Sequence, residues 1–559
     1  RTRCIRRDVN GRPPPPTPAP SGLRLQSSSV ITRLPLGLLL GIAAVLEAHP
    51  AHASYVALMA GQTARPLNGS FNTVPVLHSN QPEEVEGPGI LISTAPGMTR
   101  VAETGQSLTN AEYTFNGEFG LHMHHKYFPA SGVSYSSSGR RSELSLGAIL
   151  INPSSSPVHL RFQTGAVRNS FEAPYLANQL MGVKPLGQRP WNTGPGDATA
   201  VQMLRGKLDF RLSEEITIPP YSRIVLFSTQ LPALGIANAL LKGRSDGPFQ
   251  MAVVAAKNPR TDADYLAVLD QGILAPGRVY LSRLNDIENR RIFSRVGGVA
   301  IGDSYKASIS HDLTTQGPLH VPFTSTSRTH FGTRDVQVNP LASRMMDSSL
   351  DNVGTYGVRF DVDLNLQGQG PYELVLSHPM PVGGRPFTAF RGSLQIQTEE
   401  GLKEVHVGLR SGESLSLIPL QLRGDGTTKV RISLVYPADA TPGHLLSVVP
   451  TSQLAQVRDR ERLLDLARST PVRPTLLPNL PPVELPQAAE VPQVPGVQPP
   501  QGWGLPDLPA LPPINQSLPS AEAPDLGSGP LRGATSSLID RYRQAAEEQQ
   551  RRIRDWQSP

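Results

Sequence analysis

Cysteine is almost absent: Cys4 is the only one in 559 residues. A chain with a single thiol near its start forms no internal disulfide and has no Cys ligand set or Cys nucleophile in its body, so its stability must come from burial. Aromatic residues are scarce at 6%, and Trp191 is the only tryptophan between residues 54 and 450. The exposed aromatic faces on which sugars usually stack are thus poorly supplied. Spanning a bilayer takes roughly 20 apolar residues; the run from Leu34 to Leu46 falls short of that, and no later run is longer. No transmembrane anchor is expected. A large charge of one sign is missing too. The formal net charge is +6, but residues 1–53 hold seven of the 52 basic and two of the 46 acidic residues, which leaves the remainder at 45 against 44, or +1. Nucleic acid loses its main electrostatic argument as a partner. There is also no Gly-x-Ser-x-Gly nucleophile elbow and no Gly-x-x-x-x-Gly-Lys phosphate loop.

What is present begins with an export signal. Arg33 precedes the apolar run, and the small-x-small triplet Ala51-His52-Ala53 precedes Ser54. This pattern predicts cleavage after Ala53 and an exported chain, in the periplasm or at the cell surface. Residues 1–53 are accordingly set aside as leader and signal peptide.

From about Ala64 to Pro450 the chain is built of alternating or β-branched runs separated by Gly, Pro, Asn and Ser, such as "VHLRFQTGAV", "YGVRFDVDLNLQ" and "YELVLSHP". Period-two alternation places one face of each run on a core and the other toward water. The expectation is a mainly β protein with two antiparallel, sandwich-like lobes at 54–256 and 297–450. A helical connector is expected at 257–296, with a helix in it that opens with Thr261 as N-cap and Asp264 three residues on and ends at the Pro-Gly of 276–277. The segment "LSLIPLQLRGDGTTKVRISLVYP" reads as a hairpin. A short helix is expected at 451–469. Then comes a disordered, proline-rich linker at 470–532; within it, 17 of the 60 residues from 471 to 530 are proline, which cannot donate to a ladder. A terminal helix at 533–557 sets Ile539, Tyr542, Ile553 and Trp556 along one seam, suited to an envelope component or protein partner.

Several stretches resemble an uncharacterised family of exported cyanobacterial proteins classed as a domain of unknown function. They include "RPLNGSFNTVPVLHSNQPE" (65–83), "YTFNGEFGLHMHHKY" (113–127), "GAILINPSSSPVHLRFQTGAV" (147–167), "GPGDATAVQMLRGKL" (194–208), "HFGTRDVQVNPLASR" (330–344) and "GTYGVRFDVDLNLQG" (354–368). The resemblance covers roughly residues 64–450, implies a β-rich envelope protein and implies no activity. His124 and His125 match a His-His pair of that family, whereas His122 stands where the family more often has another residue. Arg334 and Asp335 depart from a glycine turn.

The densest chemistry is "GLHMHHKY", where His122, His124 and His125 fall within four positions. On a strand, Leu121, Met123 and His125 share one face and His122, His124 and Lys126 the other. The first face reads as core and the second as wet. His122 and His124 could both reach one divalent metal ion, but a usable site needs at least a third protein ligand, with Glu118, His78 and Glu143 as possible donors. The preferred reading is a structural His125 and no cofactor. "GDSY" at 302–305 lacks the later Asp-x-x-His of serine hydrolases, and the acidic pairs Glu83-Glu84, Glu214-Glu215 and Glu399-Glu400 read as solvated edges. An exported, non-catalytic envelope scaffold is therefore expected. The alternative is a ligand-binding module for polysaccharide or a metal ion, and a hydrolase comes last.

Overall fold

The computed structural model describes residues 63–129, 144–175, 181–188, 193–290, 295–379, 387–438 and 440–459. The segments expected to be the leader, the proline-rich linker and a terminal helix with Ile539, Tyr542, Ile553 and Trp556 lie outside the described residues. The runs with period-two patterning form strands, which assemble into sheets of nine, seven, seven and four strands among the described residues.

Two sheets enclose each apolar core. In the first lobe, the nine-stranded sheet contributes Leu77, Leu121, Met123, Phe162 and Leu241, and a seven-stranded sheet contributes Ile90, Leu146, Leu150 and Val253. In the second, Phe360, Leu364, Leu394 and Ile432 of the other seven-stranded sheet meet Val321, Leu374, Leu420 and Leu446 of the four-stranded one. The protein is thus mainly β with sheet-on-sheet lobes, as the patterning implies. Most pairings are antiparallel. Two of the main ones are parallel: Pro75–Ser79 beside Glu118–Tyr127, and Ser304–Asp312 beside Arg359–Gln367. Parallel neighbours need a crossover between them, so the connecting chain has to leave the sheet and return.

The lobes also exchange strands. Gly297–Ile301 and Asn339–Arg344, assigned above to the second lobe, extend the nine-stranded sheet of the first. Ser70–Phe71 and Gly182–Pro185 instead edge the second lobe's seven-stranded sheet. Alternation tells which face of a strand is buried and not which sheet receives it.

The expected hairpin is corrected for the same reason. Ser414–Arg423 pairs with Gln369–Ser377, whereas Thr428–Val435 pairs with Arg359–Gln367 and Thr388–Thr398. Residues 424–427 therefore form an arch between sheets, with Leu420 and Leu422 meeting Val430 and Ile432 across the core.

The connector helix starts as expected. Asp262–Asp270 is preceded by Thr261, and Asp264 Oδ2 accepts the backbone N–H groups of Arg260 at 2.7 Å and Thr261 at 2.8 Å. It stops earlier than the Pro-Gly signal suggested, because Gly272, at φ 62°, takes the left-handed position that ends a helix. A further helix, Pro195–Leu204, was not foreseen: all residues from Pro195 to Val201 are buried, so no polar stripe marks it. The chain is also helical at 451–459, where Leu454 packs with Val375 and Val449. No helix among the described residues is long and apolar enough to cross a membrane.

Candidate functional site

The histidine strand, Glu118–Tyr127, lies inside the nine-stranded sheet between Pro75–Ser79 and Ile236–Ser245. Phe119, Leu121 and Met123 point into the first core, as their alternation requires. The opposite face is not wet. His122 and His124 are each only 1% exposed, because the second lobe and the helix Pro195–Leu204 cover that side. The wet face inferred above is corrected here: alternating polarity is the same whether the polar side meets water or another lobe.

Each of the three histidines has a defined neighbour. His125 Nδ1 lies 2.7 Å from the Pro82 carbonyl, which can only accept, so Nδ1 carries the proton and Nε2 accepts from Ser79 Oγ at 2.8 Å. The ring is held neutral, and burial pushes its pKa down to about 3. His124 donates from Nδ1 to Asn238 Oδ1 at 3.0 Å, and Asn238 Nδ2 donates to Thr199 Oγ1 on the covering helix at 2.5 Å. His122 faces His78 across the parallel register, with 3.1 Å between their Nδ1 atoms, so one ring donates and the other accepts. Burial lowers His78 to about 3 and His122 well below its ordinary value. His122 also stacks on Tyr356 of the second lobe, with ring centroids 6.3 Å apart.

From Tyr356 the file of rings continues to Tyr436 at 6.0 Å, His444 at 5.9 Å and His378 at 5.1 Å. Tyr436 Oη lies 3.1 Å from His444 Nε2. Nine of the eleven described histidines are buried: His78, His122, His124, His125, His311, His320, His378, His406 and His444.

A second polar cluster was invisible in the sequence. Asp197, on the covering helix, accepts at one oxygen from Ser393 Oγ at 2.9 Å and from His406 Nδ1 at 3.1 Å. Its composition is that of a hydrolytic triad, but its geometry is not. A nucleophilic serine would bond to imidazole Nε2, whereas here Ser393 and His406 Nδ1 share one carboxylate oxygen. All three are buried, with the Asp197 Oδ1 and His406 Nε2 atoms lacking a hydrogen-bond partner. Asp197 lies about 200 positions from the other two, so no local motif announces the set.

The other candidates separate. Among the described residues no group of three or more His, Cys, Asp or Glu is placed to hold a metal ion. Glu118 is exposed beside Arg244, and Glu143 lies outside the described residues. Glu214-Glu215 and Glu399-Glu400 are exposed, as expected. Glu83 is instead buried between Lys126 and Arg295. Burial would raise its carboxyl, but the two cations outweigh that and hold it at about 2. In "GDSY", Asp303 pairs with Lys242 and Asn72, and Ser304 begins a strand. An open groove of about 1100 Å³ runs past His159, Arg161, Glu214, Glu215, Arg244 and Asp246 on the first lobe.

Fold and site together define a class: a two-lobed β protein whose histidines are mostly buried, several of them where the lobes meet. The chain belongs to the family described as a protein of unknown function, DUF3370, whose profile matches residues 62–450. No curated protein matches it.

Proposed function

We propose that this chain is an exported, non-catalytic protein of the cell envelope that serves as a structural or interaction scaffold. The observation that carries this reading is the use made of its reactive side chains. His122, His124, His125 and the Ser393–Asp197–His406 set are buried and fix strands, helix and lobes to one another. A catalytic group has to meet its substrate, and these meet other protein groups. Export rests on the leader with its Ala51-His52-Ala53 triplet, and contact with a partner on the terminal helix. The test is to fractionate cells, sequence the N-terminus of the exported protein and melt it with and without chelator. A mature chain beginning at Ser54 with a chelator-insensitive melt is expected. A chain retained in the cytoplasm with its leader would overturn the export reading. A melting temperature lowered by chelator would restore the divalent metal weighed for His122 and His124, because a bound ion stabilises by mass action.

A polysaccharide ligand is the second reading, and the groove beside Arg161 and Arg244 is what favours it. Its expected signature is retardation in gels containing a soluble acidic glycan, abolished in Arg161→Ala/Arg244→Ala.

A further inference from the structure

The seam between the lobes is built differently from the cores on either side of it. Each core is a broad apolar layer, but the seam's apolar part is the small cluster of Ala200, Leu204, Leu240 and Val435. The rest is polar. The second lobe approaches closely at Gly357: a Cβ there would lie 2.9 Å from Leu240 Cδ2 and 3.5 Å from His122 Cβ, and its φ of 75° also favours glycine. This approach closes the His78–His122 pair off from water, and the Nε2 atoms of both rings are buried without a hydrogen-bond partner.

Among the described residues no carboxylate compensates the pair; beside His78 the strand Gly297–Ile301 presents Gly298, with Arg344 opposite it on the next strand. His124 lies on the same strand as His122, with His125 behind it on the other face of the sheet. Ile236–Ser245 presents Leu240, Asn238 and Lys242, the last tied to Asp303. From the second lobe come Tyr356, and Arg359 already paired with Asp361. The covering helix brings Asp197, which is engaged by Ser393 and His406. Among the described residues no carboxylate bonds to either ring of the pair, so a proton added to it would remain buried and unpaired.

We propose that the seam is an acid-released joint, in which protonation of the His78–His122 pair frees the helix Pro195–Leu204 and the 353–358 loop from the first lobe while both apolar cores stay folded. The direction follows from linkage. Above pH ~6.5 the rings are neutral whether the seam is closed or open. As the pH falls below that value the open seam takes up protons that the closed one, with its rings pushed down, refuses. At pH 5 each freed imidazole favours opening by about 30-fold, since each pH unit below its ordinary pKa contributes tenfold.

The test is hydrogen exchange by mass spectrometry on the full chain between pH 7 and 5, with rates corrected for the intrinsic pH dependence. Peptides covering 195–204 and 353–358 should lose protection by about two to three orders of magnitude, while those covering 250–257 and 369–377 stay the slower to exchange at every pH, opening only with the whole fold. His78→Gln retains a hydrogen-bonding partner for His122 and removes one titrating ring, so it should reduce the gain by about 30-fold. His320→Gln, which removes a buried histidine bonded to Ser447 inside the second lobe, should leave the seam's profile unchanged. Seam and core peptides opening together, or a seam still protected at pH 5, would overturn the proposal. If His78→Gln does not fold, the wild-type profile decides alone.

Discussion

At the scale of single residues, the histidines set the protein's response to acid. His78 and His125 are pushed down to about 3 and His320 to about 4, chiefly by burial. Such groups are neutral in the folded chain and titrate near 6.5 once unfolded. Their penalty is absent above pH 6.5 and grows as the pH falls toward the folded value. Each costs roughly 2 kcal/mol by pH 5, against a total stability on the order of 5 to 15 kcal/mol. Glu83 adds to the loss further down, as the pH drops from 4.5 toward its folded value of about 2. Urea titrations at pH 7.5, 6 and 5 should show stability falling steeply below 6.5, and a flat profile would count against buried neutral rings. Substitution follows the same logic. His125→Ala leaves Pro82 O and Ser79 Oγ without the ring and should cost about 1 to 3 kcal/mol. His122→Ala and His124→Ala should cost a similar amount, since each also abandons a buried partner, His78 or Asn238. On a wet face they would cost under about 0.5 kcal/mol, so denaturation of the three variants separates a buried seam from an exposed one.

At the scale of elements, local chemistry governs how a segment starts and bends, while pairing depends on distant chain. The connector helix shows the first point. Asp264 ties down two backbone N–H groups at its start, so Asp264→Ala should lower the melting temperature. An unchanged melt would mean that packing of Tyr265 and Val268 alone holds the helix. The arch at 424–427 shows the second. Its Gly-Asp-Gly-Thr chemistry was readable, yet the flanking strands enter different sheets. The arch is exposed, so a Gly-Ser-Gly-Ser insertion there should cost about 1 kcal/mol or less. A true hairpin held in register by its turn would suffer more.

At the scale of the whole molecule, the body ends later than the last strand. Residues 451–459 are helical, and Leu454 is buried against Val375 and Val449. A chain cut after Pro450 should lose about 2 to 4 kcal/mol, since burying one leucine is worth roughly 1.5 to 3 kcal/mol and the helix also carries Val457. A chain cut after Thr470 should melt within about 1 °C of the full-length protein, because the proline-rich remainder has little apolar surface to bury. Calorimetry of the two truncations checks both, and equal melting would show that Leu454 adds nothing.

The sequence by itself determined the mainly β class, the core-facing set Leu121, Met123 and His125, the Thr261 helix start and the family resemblance. All of these rest on local periodicity or local capping, which the residues themselves carry. Only the tertiary structure decided that His122 and His124 are buried, that Asp197 meets Ser393 and His406, and that strands near residues 70, 183, 299 and 341 cross between lobes. A polar face on a strand has the same pattern whether water or a second lobe covers it. Which of these covers the histidine strand depends on contacts between residues hundreds of positions apart, and local spacing does not encode them.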